Sequence, residues 1–164
     1  MLRKIIVPAV VAAGAAGAIG AASAASDSGE DDGDGAAARQ VRIGIVTSQT
    51  KVDTDQNHRD SVGDLLIFQS EVKNGSETRT LGTAQSACTV TEIRGTELTG
   101  HCTGTTEFAD GTLELAGLLH SDSASDRFAI VGGTGRYDEA DGQVTVTVLN
   151  ATRTRLRVAV DLDD

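Results

Sequence analysis

From residue 41 onward, apolar side chains fall at every second position, in short runs broken by Gly, Asn and Asp. A period of two is the period of a pleated strand with one dry face and one wet face. No amphipathic helix longer than two turns can be drawn through the same residues. Residues 41–47 alternate with Val41, Ile43 and Ile45 on one face, and 64–73 run into Asn74-Gly75, a strong signal for a tight hairpin. The stretch 77–93 contains Gly82, where a bend or bulge is expected. Residues 97–108, 112–120 and 127–131 follow, the middle one alternating through Leu113, Leu115 and Leu119. Gly132-Gly133-Thr134-Gly135 reads as a turn cluster. Residues 143–149 and 153–162 close the chain, with Leu156, Val158, Val160 and Leu162 on one face of the last strand and Arg155 and Arg157 on the other. About eight short hairpin-linked strands predict an all-β, closed antiparallel β-barrel, which leaves no sheet edge exposed. An open β-sandwich is the competing arrangement.

The two cysteines test the register. Cys88 and Cys102 flank a turn at Arg94-Gly95-Thr96. A three-residue loop pairs Ile93 with Glu97 and sets Cys88 directly opposite Cys102, close to the spacing a disulfide needs. A two-residue loop at Arg94-Gly95 would set Cys88 against His101 instead. Two cysteines in an exported chain most simply pair. A Cys88–Cys102 bridge, and with it the three-residue loop, is therefore expected. The alternative is a free Cys88 thiol in a ligand pocket. His101 neighbours Cys102 on one strand and so points to the opposite face, which argues against a Cys–His pair.

The N-terminus sets the compartment. Met1-Leu2-Arg3-Lys4 is a basic head, residues 5–22 are apolar, and Ala22-Ser23-Ala24 and Ser23-Ala24-Ala25 both fit a small-x-small cleavage site. Residues 1–25 read as a secretory signal peptide, hence a secreted protein. The rival, a membrane anchor, is weakened by the Ala and Gly that dilute the run. Residues 26–40 carry Asp27 to Asp34 on small residues and read as an acidic disordered spacer, without the spacing of a calcium loop. The barrel domain is assigned to 41–164. Once the signal is removed, no membrane contact is expected.

Composition excludes several classes. The formal net charge is −10, the wrong sign for a phosphate-binding surface, so no nucleic-acid partner is expected. Aromatic residues are 2% of the chain, too few for a stacking platform. Gly133-Thr134-Gly135 lacks the third glycine of a dinucleotide fingerprint, and no Gly-x-Ser-x-Gly elbow occurs. His58, His101 and His120 lack metal-ligand spacing. Asp53-Thr54-Asp55-Gln56-Asn57 imitates the start of a calcium loop with Asp64 at its twelfth position, but His58 stands where Gly is wanted. No metal is therefore assigned. Asn74-Gly75-Ser76 and Asn150-Ala151-Thr152 have the form of glycosylation sequons. Eleven Arg against three Lys, with much Ala, Gly, Asp and Thr, suit a GC-rich bacterial genome.

Three stretches carry a family resemblance. Ala129-Ile130-Val131-Gly132-Gly133-Thr134-Gly135-Arg136-Tyr137, continuing to Val144, resembles the late motif of dirigent proteins. Gly82-Thr83-Ala84-Gln85 is similar to the dirigent Gly-x-Ala-Gln run, and Gly63-Asp64-Leu65-Leu66-Ile67-Phe68 to a strand of allene oxide cyclases. Both families share one barrel superfamily. The resemblance implies an eight-stranded barrel, a homo-trimer or homo-dimer, and no metal or organic cofactor. It also implies a small apolar or phenolic ligand held in the barrel, whose cyclisation or stereoselective coupling the protein directs. Cys88 falls where the cyclases place a pocket cysteine, and Ser70 near an asparagine that helps hold a water. The cyclase glutamate has no counterpart in residues 46–49, which argues against the plant cyclase reaction itself. Arg136 and Tyr137 match the dirigent turn, while Asp141 replaces an arginine. The pocket candidates are Phe68, Ser70, Gln85, Cys88 and Phe108, with Arg136, Tyr137 and Asp141 at the rim. The rival reading is a non-catalytic extracellular carrier or structural barrel. An enclosed cavity with polar groups would favour the first, and a barrel filled with side chains the second.

Overall fold

The computed structural model describes residues 40–163. The expected signal peptide and almost all of the acidic spacer lie outside them. The elements are β1 (Gln40–Val52), β2 (Leu65–Asn74), β3 (Thr80–Arg94), β4 (Glu97–Phe108), β5 (Gly111–His120), β6 (Ser125–Gly135), β7 (Gly142–Val148) and β8 (Arg155–Leu162). Each strand pairs antiparallel with the next, and β8 returns to β1, closing an eight-stranded barrel. The described residues contain no helix. The competing sandwich is thus excluded.

Alternation places one face of every strand in a shared lumen. Phe68, Val72, Leu113, Leu115, Phe128, Leu156 and Val158 are buried there. Glycines on the inner face make room for large neighbours: a Cβ on Gly117 would come within 2.8 Å of the Phe128 ring. The inner face of β1 is not its aliphatic one. Arg42 pairs with Asn74 and Val158, and Gly44 with Val72 and Leu156, so Arg42, Gly44 and Val46 face inward. Val41, Ile43 and Ile45 lie on the outer wall. Ile43 is nevertheless buried. The β2–β3 loop comes back over that wall: Glu77 is ion-paired with Arg155, and a Cβ on Gly75 would lie 3.4 Å from Val41 O.

The Cys88–Cys102 disulfide is formed, between directly opposed residues on the inner face. The expected three-residue loop is not. Arg94 pairs with Glu97 across the two-residue turn Gly95-Thr96, with Gly95 at φ 62°. The register slips between Val90 and Glu92, and this one-residue bulge brings the cysteines opposite each other. A turn of different length and a bulge at Thr91 therefore produce the same cysteine pairing. Gly132 to Gly135 also departs from expectation by continuing β6 rather than forming a turn. The strand stays there because Gly133 packs against backbone: a Cβ would sit 2.4 Å from Thr112 O. A one-residue bulge on β6, opposite Glu114 and Leu115, leaves Val131 without a partner, and its side chain is exposed.

Asn74-Gly75 does not make a tight turn. Asn74 instead organises the loop 75–79, accepting Arg79 N–H at Oδ1 (3.0 Å) and donating from Nδ2 to Ser76 and Thr78 (2.9 and 3.0 Å). Asn150 does the same in the β7–β8 loop, accepting Thr154 and Arg155 N–H (2.9 and 3.1 Å) and donating to Thr154 Oγ1 (3.0 Å). The fourth residue of each loop is left-handed, Glu77 at φ 60° and Arg153 at 55°. Asn74-Gly75-Ser76-Glu77-Thr78-Arg79 and Asn150-Ala151-Thr152-Arg153-Thr154-Arg155 are one loop used twice. The sequon form of both sites is thus accounted for by loop closure.

Candidate functional site

The lumen has two differently built ends. At one, the β6–β7 loop drops Tyr137 into the barrel mouth, where it is 3% exposed. The loop is one compact turn, with Tyr137 N–H on Thr134 O (3.1 Å) and Ala140 N–H on Tyr137 O (3.1 Å). The Tyr137 ring tilts against Phe108 from the end of β4, with centroids 5.4 Å apart. Arg42 enters from β1 on the inner face, and its guanidinium donates to Gln40 Oε1 (3.0 Å) and Val41 O (3.2 Å). Burial lowers the Arg42 pKa from its ordinary value, while nearby Tyr137 acts in the opposite sense. Arg136, exposed, reaches Asp110 Oδ2 at 3.5 Å across the turn. Asp141 is also exposed and accepts Asp163 N–H through its backbone oxygen (3.3 Å).

The other end is closed by charge. Asp64, with its side chain fully buried, accepts Lys51 Nζ (2.9 Å), Thr54 N–H (3.0 Å) and Ser61 N–H (3.0 Å). Burial alone would raise its pKa, but these donors overrule it and hold the carboxyl at about 2. Lys51 also pairs with Asp60 at 2.8 Å and donates to Arg59 O. Oxygens of Asp53, Asp55 and Asp64 lie within 4.8 Å of one another. The calcium-like spacing thus does gather three carboxylates, and His58 takes the left-handed conformation, φ 61°, that a glycine would have. The negative charge is met from within the chain by Lys51. Further round the same end, His120 Nδ1 meets Asp126 Oδ1 at 2.8 Å, and Arg153 donates to Ser123 O at 2.8 Å.

Between the ends, Phe68, Ser70 and Cys88 all face the lumen, as expected. Gln85 does not. It alternates with Ala84 and Ser86, so its side chain lies on the outer wall. There it helps line an open groove of about 430 Å³, with Ile67, Ala87, Thr105, Glu114 and Val131. That groove is outside the barrel, whereas the lumen wall is apolar and closely packed. Two groups interrupt the packing: Ser70 Oγ and Ser86 Oγ are buried without a hydrogen-bond partner. Sequence reasoning found Ser70 but missed Ser86 and Arg42. The period-two pattern already sets Ser86 on the face of Cys88. Arg42 is not marked by alternation, which groups Val41, Ile43 and Ile45 on one face of β1 without saying which face is inside.

Comparison with known proteins fits this geometry. A family model described as the allene oxide cyclase barrel-like domain matches residues 45–162. No curated protein sequence matches the chain. Among solved structures, a pyocyanin demethylase is 24% identical with a TM-score of 0.66, covering 77% of this chain and 100% of its own. A Diels–Alderase from Streptomyces koyangensis is 22% identical with a TM-score of 0.62, covering 76% of this chain and 67% of its own. A pterocarpan synthase dirigent protein is 20% identical with a TM-score of 0.55, covering 76% and 87%. At such identities these likenesses concern the fold. The family match spans all but the first residues of β1, and the chain belongs to the allene oxide cyclase barrel-like family.

Proposed function

We propose that the protein is a secreted barrel that takes a small, reactive, largely apolar guest and directs its cyclisation or coupling. The observation that carries this reading is the mouth. One end of the lumen is stopped by Tyr137 on a loop, outside every strand, so its ring can clear without breaking the ladder and leave the guest the volume it now fills. Phe108 and Arg42 beneath it offer an aromatic wall and a polar edge. A dry cylinder of this kind works by restricting a flexible reactant to one geometry, converting lost entropy into selectivity. Family membership supports the same reading, as do cyclising, Diels–Alder and dirigent proteins among the structural likenesses. The N-terminal signal pattern supports export.

The test is a linear trienone carrying a conjugated diene and an enone on one chain, which closes unaided to a racemic mixture of fused rings. With the full-length protein, an enantiomeric excess or an altered ring-fusion ratio is expected. Racemic product in the unassisted ratio would count against a directing role. A second reading, a non-catalytic extracellular barrel, is favoured by the side chains that fill the lumen and by the groove lying outside it. Guest binding without any change in product would select that reading. Mass measurement of the protein recovered from culture medium tests export, through its new N-terminus.

A further inference from the structure

Ser70 on β2 and Ser86 on β3 are 3% and 4% exposed, and neither hydroxyl has a partner. Buried hydroxyls without partners are rare and costly, because folding strips their water and returns nothing. Two of them occur on adjacent strands and on the same face. Ser70 pairs with Ala84 and Ser86 with Phe68, which makes the two serines diagonal neighbours on the inner wall. Diagonal neighbours have Cα atoms about 7–8 Å apart and Cβ atoms somewhat closer. Their hydroxyls can therefore converge on one atom set between them, each at hydrogen-bond distance. Around them, Gly104 beside Ser86 on β4 has no side chain, Ala84 and Phe68 are apolar, and the one further hydroxyl on this face within diagonal reach of Ser86, buried Thr106 opposite Ala84, is already engaged elsewhere.

We propose that Ser70 and Ser86 form a hydrogen-bonding station that takes the carbonyl oxygen of an enone- or quinone-type guest. The inference rests on the guest-directing reading above and deepens it by naming the chemical class of the guest. A carbonyl oxygen suits the pair because it has two lone pairs and no hydrogen, so both serines donate and neither is left over. Two fixed donors in a dry lumen also draw electron density from the conjugated double bond, which makes it a better partner for ring closure. The station thus both orients and activates the guest.

The experiment compares acetylnaphthalene, the corresponding secondary alcohol and isopropylnaphthalene, three probes of one shape. Each is titrated into the full-length protein and into a Ser70→Ala/Ser86→Ala double variant, whose alanines fit the same wall. The ketone is expected to bind the wild type about tenfold tighter than the hydrocarbon, the worth of one to two neutral hydrogen bonds. Its carbonyl stretch should fall to lower wavenumber on binding. Both effects should vanish in the double variant. Equal affinities in the wild type, a preference for the alcohol, or a ketone preference that survives in the variant overturns the station while guest binding stands. Failure of all three probes to bind overturns the station together with the reading on which it rests.

Discussion

The two ends of the barrel are closed by different physics. Tyr137 and Phe108 stop the mouth by packing, with Arg42 at its edge. Lys51, Asp60 and Asp64 tie the opposite end by charge-assisted hydrogen bonds, reinforced by the His120–Asp126 contact. Packing is indifferent to salt and resists acid. A carboxylate anchored by donors loses its grip once it is protonated. The difference also separates a door from a floor. Tyr137 lies on a six-residue loop whose removal from the lumen breaks no ladder bond, whereas Asp64 N–H and O are themselves bonded to Ser61 and Val90 backbone.

The largest way to break this contrast is Tyr137→Ala. Removing a buried aromatic side chain costs about 3–4 kcal/mol in a core, and the mouth should give a value near the lower figure because the void opens to water. Urea unfolding should show the loss equally at low and high salt. Naphthyl probes should also enter faster in stopped-flow mixing. A loss of stability that varies with salt would erase the distinction between the ends.

Asp64→Asn is the matching change at the floor, with an expected cost of roughly 2–3 kcal/mol at neutral pH from a broken charged pair. Here the sign with pH is fixed by the depressed carboxyl. Its pKa is about 2 in the folded chain against about 3.9 unfolded, so its contribution is full above pH 4 and is lost as pH falls towards 2. The protection of the Thr54 and Ser61 amides, which Asp64 accepts, relative to their intrinsic exchange should therefore fall in acid before protection in the mouth does. Simultaneous loss at both ends would mean that Asp64 is not what holds the floor.

How much of this was legible in the residues depends on the range of the determinant. Period-two alternation marked the strands from β2 to β8, and the order of motifs marked the family. The inward face of β1 was not legible, because alternation says which residues share a side, not which side is inside. Arg42 faces inward and Ile43 outward, and a loop from β2–β3 returns over that outer wall, a contact between distant segments. The cysteine pairing was legible, but the turn that permits it was not. A bulge at Thr91 compensates for a shorter loop, and nothing local announces a bulge. At the site, Ser70 and Cys88 were found from resemblance, while Ser86 needed only the alternation already in use.

The twin loops supply the smallest and most controlled test, because they carry one chemistry to opposite ends of the barrel. Asn74 closes the β2–β3 loop on the side of the mouth, and Asn150 closes the β7–β8 loop on the side of the floor. Asn74→Ala removes three side-chain hydrogen bonds, with Arg79 N–H, Ser76 and Thr78, and Asn150→Ala also removes three, with Thr154 N–H, Arg155 N–H and the Thr154 hydroxyl. At about 1 kcal/mol per neutral hydrogen bond, Asn150→Ala should cost about as much as Asn74→Ala. None of these bonds involves a charge, so both costs should be unchanged by salt. If so, any salt dependence seen at the floor belongs to Lys51 and Asp64 and not to the end of the barrel as such. A salt-sensitive Asn150→Ala beside an insensitive Asn74→Ala would instead tie the β7–β8 loop into the charged network, through Arg153 and its contact with Ser123.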